Sequence, residues 1–120
     1  TKALKNQPIP VYGTGLNTRE RIYVEDSCEG IMSALTSGHS GKIYNLGSGH
    51  EKTNLDLIEE VLTNIQKPLS LIKMVEDRKG HDFRYSLNSE ASYDTLKWQP
   101  KTSFSEGIKN TIRYYKAKNV

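Results

Sequence analysis

The segment TNLDLIEEVLTNIQKP, Thr53 to Pro68, places Leu55, Ile58, Val61, Leu62 and Ile65 along one side of a helix. Thr53 and Asp56 have the spacing of a capping-box variant at its start, and Pro68 marks its end. A helix with one apolar face needs another element to cover it, so the rest of the chain must supply that surface.

The flanking segments are suited to the task. In PIPVYGTG, Pro8 and Pro10 disfavour helix at the residues before them, which predicts a short extended run ending in a turn at Gly13 and Gly15. RERIYVED alternates Ile22 and Val24 with polar neighbours, the period of a strand. Cys28, Ile31, Met32 and Leu35 predict a helix from Ser27 to about Thr36, closed by Gly38 and Gly41. KIYNLGSG reads as a short buried strand running into a glycine turn, and SLIKMVED as another strand. NSEASYDTLKW predicts a short helix. Ser103 and Glu106 form a second capping box, with Phe104, Ile108, Ile112 and Tyr115 on one side of a last helix. Alternating strands and helices point to an α/β fold, with α+β character, in one small domain covering 1–120. There are too few strands for a complete doubly wound sheet.

The hydrophobic share is 35%, so the core is expected to be thin. Such thinness follows if part of the packing surface lies on residues outside these 120. Cys28 is the only cysteine, which excludes an intramolecular disulfide and points to a reducing compartment. With no long apolar run and no leader-like start, the expectation is a cytoplasmic protein without a membrane partner. The net charge of +3 is a mild bias toward anionic ligands, and the lysines are too dispersed for a nucleic-acid-binding face. Cys28, His39, His50 and His81 lack metal-ligand spacing.

The charge density peaks in EDRKGHDFRY, Glu76 to Tyr85. Arginine's planar fork suits phosphate, and two arginines stand beside glycine turns: Arg19 after YGTGLNT and Arg78 before Lys79-Gly80-His81. His81 offers a ring donor that Asp82 is placed to orient. The same residues would equally serve as the charged surface of a solvated loop.

RKGHDFRY together with PIPVYGTGLNTRERIYVED, KIYNLGSGHEKTN, LKWQPKTSFSEGI and TIRYY resembles the C-terminal part of the dTDP-glucose 4,6-dehydratases. These are NAD-dependent enzymes of the extended short-chain dehydrogenase/reductase superfamily. The resemblance runs in order from about Pro8 to Tyr115. It implies that Pro10 and Tyr12 lie along the nucleotide, that Arg19 and Arg78 bind the diphosphate, and that Asn54 sits beside it at a helix N-terminus. His81 would reach the phosphate or ribose. From the residues alone, Asn54 also reads as a helix cap and Tyr12 as strand packing. Glu25 and Asp26 open a helix, where acidic residues cap and balance its dipole. The chain departs from the family pattern at Lys79 (proline), Glu20 (aspartate), Arg21 (aromatic or hydrophobic), Ser27 (often histidine) and Lys97 (glycine). A side chain at position 97 is expected to adopt a left-handed conformation at a cost of about 1 kcal/mol.

The reaction that the family implies needs a glycine-rich loop under NAD and a Tyr-x-x-x-Lys pair. GTG and GSG lack the third glycine, and Tyr93/Lys97 and Tyr114/Lys118 match the pair only in terminal segments. No catalytic or cofactor-binding residue is therefore expected here. The resemblance implies a small substrate-binding domain for dTDP-glucose whose partner, the NAD-binding Rossmann half, is missing, with 22–46 packing near that half. The intact enzyme, a lyase, is expected to be a homodimer. A UDP-, CDP- or GDP-sugar enzyme of the same fold, or a non-catalytic nucleotide-sugar-binding module, are the alternatives.

Overall fold

In the computed structural model, which describes residues 1–118, the chain begins with a short turn and then strand β1, Ile9–Tyr12. β1 pairs in parallel with β4, Ile72–Val75, setting Ile9 opposite Ile72 and Tyr12 opposite Val75. Gly13 and Gly15 follow with φ of 58° and 73°, the left-handed region where side chains are strained. A Cβ on Gly13 would lie 2.7 Å from Asp77 Oδ2, and one on Gly15 would lie 2.7 Å from Val11 Cγ1. The turn therefore needs both glycines for space as well as for φ.

It delivers the chain into β2, Thr18–Glu20, the middle of a second small sheet. β2 runs antiparallel to β3, Glu51–Thr53, and parallel to β5, Arg84–Tyr85. The predicted strand around Ile22 and Val24 thus lies a few residues too late. Pairing stops after Glu20, and Val24 already begins helix α1, Val24–Ser37. β3 and β5 had no apolar alternation to announce them, because they are polar strands held by β2.

Helix α2, Asn54–Asn64, carries the anticipated cap: Thr53 Oγ1 accepts from the Asp56 N–H and Asp56 Oδ2 from the Thr53 N–H, each at 3.0 Å. Its stripe is the centre of the core, with Leu62 0% exposed and Ala3 and Ile65 beside it. Ile9, Ile72 and Ile112 pack around that cluster. The helix ends before Pro68 is reached, at a left-handed Gln66 with φ of 55°.

Helix α3, Glu90–Leu96, packs against α1, and Trp98 lies buried beneath Gly30. A Cβ at Gly30 would stand 3.0 Å from the indole. Lys97 adopts φ 50°, ψ 35°, the left-handed conformation that the resemblance implied for it. Helix α4, Phe104–Ala117, packs on α2. Its box is half made: Ser103 Oγ accepts from the Glu106 N–H at 3.3 Å, with no bond returned among the described residues.

One strand expectation fails. Lys42–Gly49 forms no strand, and Ile43 is 94% exposed. The apolar stripe of α1 is uncovered too: Ile31, Met32 and Leu35 are 57%, 56% and 77% exposed. That helix buries its other side, through Asp26 and Gly30. Apolar patterning reports what a segment is suited to pack against, and among the described residues nothing covers these faces. The radius of gyration, 16.6 Å, exceeds the roughly 14 Å of a compact domain of this length, and the thinnest axis is 18 Å. The fold is mixed α/β, flat, with two small sheets in place of one wound sheet.

Candidate functional site

The ends of β1 and β4 bring Tyr12 next to the loop that follows Val75. Alternation along β1 buries Val11 and turns Pro10 and Tyr12 to the other, exposed face. The Arg78 guanidinium carbon lies 4.7 Å from the centre of the Tyr12 ring, a cation–π contact. Arg78 Nη2 lies 3.3 Å from His81 Nε2, and His81 Nδ1 lies 2.7 Å from Asp77 Oδ1. A guanidinium only donates, so Nε2 accepts from Arg78 and Nδ1–H donates to Asp77. The orienting carboxylate is therefore Asp77, not Asp82. The hydrogen bond from His81 holds the Asp77 carboxyl below its ordinary range, helped by the N–H and the charge of Arg78. Both imidazole nitrogens are spent inside the chain, and the side chain is 6% exposed.

Asp82 takes part through its backbone. Its carbonyl accepts from Asn17 Nδ2 at 3.2 Å and from Arg19 Nη2 at 2.7 Å. Arg19 Nη1 donates to the Thr18 carbonyl at 2.7 Å and the Phe83 carbonyl at 3.5 Å. Among the described residues, its Nε–H and one Nη2–H remain unspent. Arg19, on β2, thus borders the loop from Asp77 to Phe83 that carries Arg78.

Asn54 is the first residue of α2, and the cap is Thr53. Its carboxamide oxygen instead accepts from Arg21 Nη2 at 2.7 Å. Arg21 was not singled out as a site residue; its departure from the family pattern was the available signal. Burial, followed by the charge of Arg19, lowers the pKa of its guanidinium. Its Nε is buried without a hydrogen bond. The N-terminal amides of α2 are also consumed: Asn54 N–H donates to the Asn17 carbonyl, Leu55 N–H to the Gly15 carbonyl and Asp56 N–H to Thr53 Oγ1. The bare helix terminus expected to attract a diphosphate is thus internally satisfied.

Among the described residues, ion pairs join Glu51 to Arg84 and Glu29 to Lys101, while Asp77 accepts a hydrogen bond from His81. Arg84 forks onto Glu51, while Arg19, Arg21 and Arg78 have no carboxylate partner. Guanidinium groups left unneutralised around one loop and one helix start suit an anion presenting several oxygens.

Other sequence signals find internal roles. Asp26 is buried at 4% exposure and accepts from the Lys101 N–H at 3.2 Å and the Thr102 N–H at 3.0 Å. It ties α1 to the loop before α4 and does not cap its own helix. Burial raises its pKa, but those donors, the Thr102 hydroxyl and the Lys101 charge together outweigh it and hold the carboxyl low. Tyr93 donates to the Gly47 carbonyl at 2.7 Å. Burial and then Glu20 push its phenol up, the opposite of what an activated tyrosine requires. Lys118 Nζ stands 5.7 Å from the Tyr114 ring centre, over the ring. The GTG turn leads into β2, a strand, so it does not fit the strand–turn–helix cradle of a dinucleotide. A groove of about 610 Å³ lined by Tyr23, Leu57, Phe104, Ile108 and Tyr115 includes none of the predicted site residues, though Arg21 borders it. No helix among the described residues is long and apolar enough to cross a membrane.

The mixed α/β scaffold is that of the 4,6-dehydratase class. The chain belongs to the family described as GDP-mannose 4,6 dehydratase, whose model matches residues 1–111. It is similar to a dTDP-glucose 4,6-dehydratase of Actinoplanes, 42% identical over 98% of this chain and 37% of the relative. Its fold matches crystal structures of dTDP-glucose 4,6-dehydratases from Streptomyces venezuelae (TM-score 0.94, 37% identity) and Bacillus anthracis (TM-score 0.91, 36% identity), both containing NAD. Each match covers 98% of this chain and 37% of the other, so the chain spans little more than a third of the length of its relatives.

Proposed function

We propose that this chain is the nucleotide-sugar-binding part of an NAD-dependent dTDP-glucose 4,6-dehydratase, a lyase whose product is dTDP-4-keto-6-deoxyglucose. The observation that carries the reading is the absence of carboxylate partners for Arg19, Arg21 and Arg78, around a loop whose neighbouring Arg84 is fully paired. Arg19 and Arg21 are half-buried and Arg78 is exposed, so an anion reaching them meets open charged donors already fixed in place. A diphosphate is such an anion, with Arg78 held on the Tyr12 ring and steadied by His81. Pro10 and Tyr12 share an exposed face beside it, suited to a base or sugar. His81 serves the site through Arg78, because its own nitrogens are engaged.

Hydride transfer and elimination then belong to residues outside this chain, and NAD to a Rossmann domain carried there. The exposed face of α1 and the uncovered 42–46 segment fit packing against such a domain. A cytoplasmic homodimer is the form we expect of the intact enzyme. Isothermal titration of the full-length protein with dTDP, UDP, CDP and GDP tests the assignment. Tighter binding of dTDP supports it, and a clear preference for GDP or UDP moves the protein to another nucleotide-sugar dehydratase or epimerase. No binding of any of them refutes the site.

A further inference from the structure

Arg21 is held from both sides along its backbone: its N–H donates to the His50 carbonyl at 2.9 Å, and its carbonyl accepts from Ser48 Oγ at 2.6 Å. Its guanidinium is thus presented from a fixed point onto Asn54, 33 residues away in sequence. An arginine has no acceptor, so the atom facing Nη2 must be the carboxamide oxygen. That choice fixes the flip of the amide and leaves Nδ2, which makes no hydrogen bond among the described residues, as an unspent donor.

The backbone donors at this turn are already consumed by Asn17, Gly15 and Thr53. An anion arriving at the start of α2 therefore finds the Asn54 NH₂ group in their place. Resting on the proposed function, we propose that Arg21 is a positioning residue that locks the Asn54 carboxamide so that its NH₂ donates to the diphosphate of the bound nucleotide. An aromatic or aliphatic residue at position 21 makes no such bond, and the amide would be free to turn its oxygen toward the anion. Arg21 also brings a positive charge with no carboxylate beside it, which adds to the local potential.

Double-mutant titration of the full-length protein with dTDP tests this, using Arg21→Met, Arg21→Lys, Asn54→Ala and the combinations, with thermal melts to confirm folding. Asn54→Ala and Arg21→Met are each expected to weaken dTDP binding roughly tenfold. In the Asn54→Ala background, Arg21→Met is expected to cost no more than about twofold further. Arg21→Lys, which keeps the charge and a donor, should bind better than Arg21→Met, and that difference should shrink to about twofold or less once Asn54 is alanine. Additive losses would overturn the inference, since Arg21 would then act independently of Asn54. So would an Arg21→Met protein that binds as tightly as the unsubstituted one. An unsubstituted protein that ignores dTDP overturns the proposed function and this inference together.

Discussion

His81 Nδ1 lies 2.7 Å from Asp77 Oδ1, and through that contact a half-exposed carboxylate sets the direction of a nearly buried ring. The ring in turn accepts from Arg78, so Asp77 governs a guanidinium it does not touch through its own side chain. Asp77→Ala is expected to weaken dTDP binding about three- to tenfold, the range of a coupled neighbour. Asp82→Ala is expected to leave affinity within about twofold, because only the Asp82 carbonyl is used. Titration calorimetry of both variants decides the matter, and the reverse order would reinstate Asp82 as the orienting group.

Arg78→Ala removes the charged donor stacked on Tyr12. The expected loss is roughly 1.5–3 kcal/mol of dTDP affinity, with thermal stability little changed. Arg19→Lys differs in kind. Arg19 also ties β2 to the Asp82 and Phe83 carbonyls, so a lysine should lower both affinity and melting temperature. A melting temperature equal to that of the unsubstituted protein would deny Arg19 its structural share.

Asp26 links stability to pH. Its carboxyl pKa is lowered in the folded chain, so the native state favours the charged form. That contribution is complete above the ordinary aspartate value of about 3.9 and disappears as pH falls through the lower folded value. Asp26→Asn should cost about 1–3 kcal/mol at pH 7 and flatten the acid limb of the stability curve. Urea unfolding between about pH 2 and pH 7 measures it; parallel curves for the two proteins would contradict the assignment.

Lys97 holds a left-handed conformation that glycine adopts freely. Lys97→Gly is expected to stabilise the chain by up to about 1 kcal/mol. A lower melting temperature for the glycine variant would mean that the lysine side chain makes a compensating contribution.

The capping box of α2 and its apolar stripe were readable because each depends on residues within a turn or two of one another, whereas the left-handed Lys97 was implied by the family's glycine at that position. Two of the six proposed contacts, Tyr12 and Arg78, could be named from sequence yet not paired, since nothing local says that β1 and β4 lie side by side. The error at Asp82 has the same origin: Asp77 and Asp82 are both near His81 along the chain, and the loop's path chooses between them. Exposure of the α1 stripe was equally beyond reach of periodicity, which marks an apolar face without saying what meets it.

Sequence by itself determined that four helices form and which faces of them are apolar, because helical period and capping are short-range effects. Tertiary structure alone decided which charges are neutralised and which are left open. Glu51 captures Arg84 across 33 residues, Asn54 meets Arg21 across another 33, and Asp26 closes on Thr102 across 76. Electrostatic partnership depends on distance in space, and the folded backbone sets that distance.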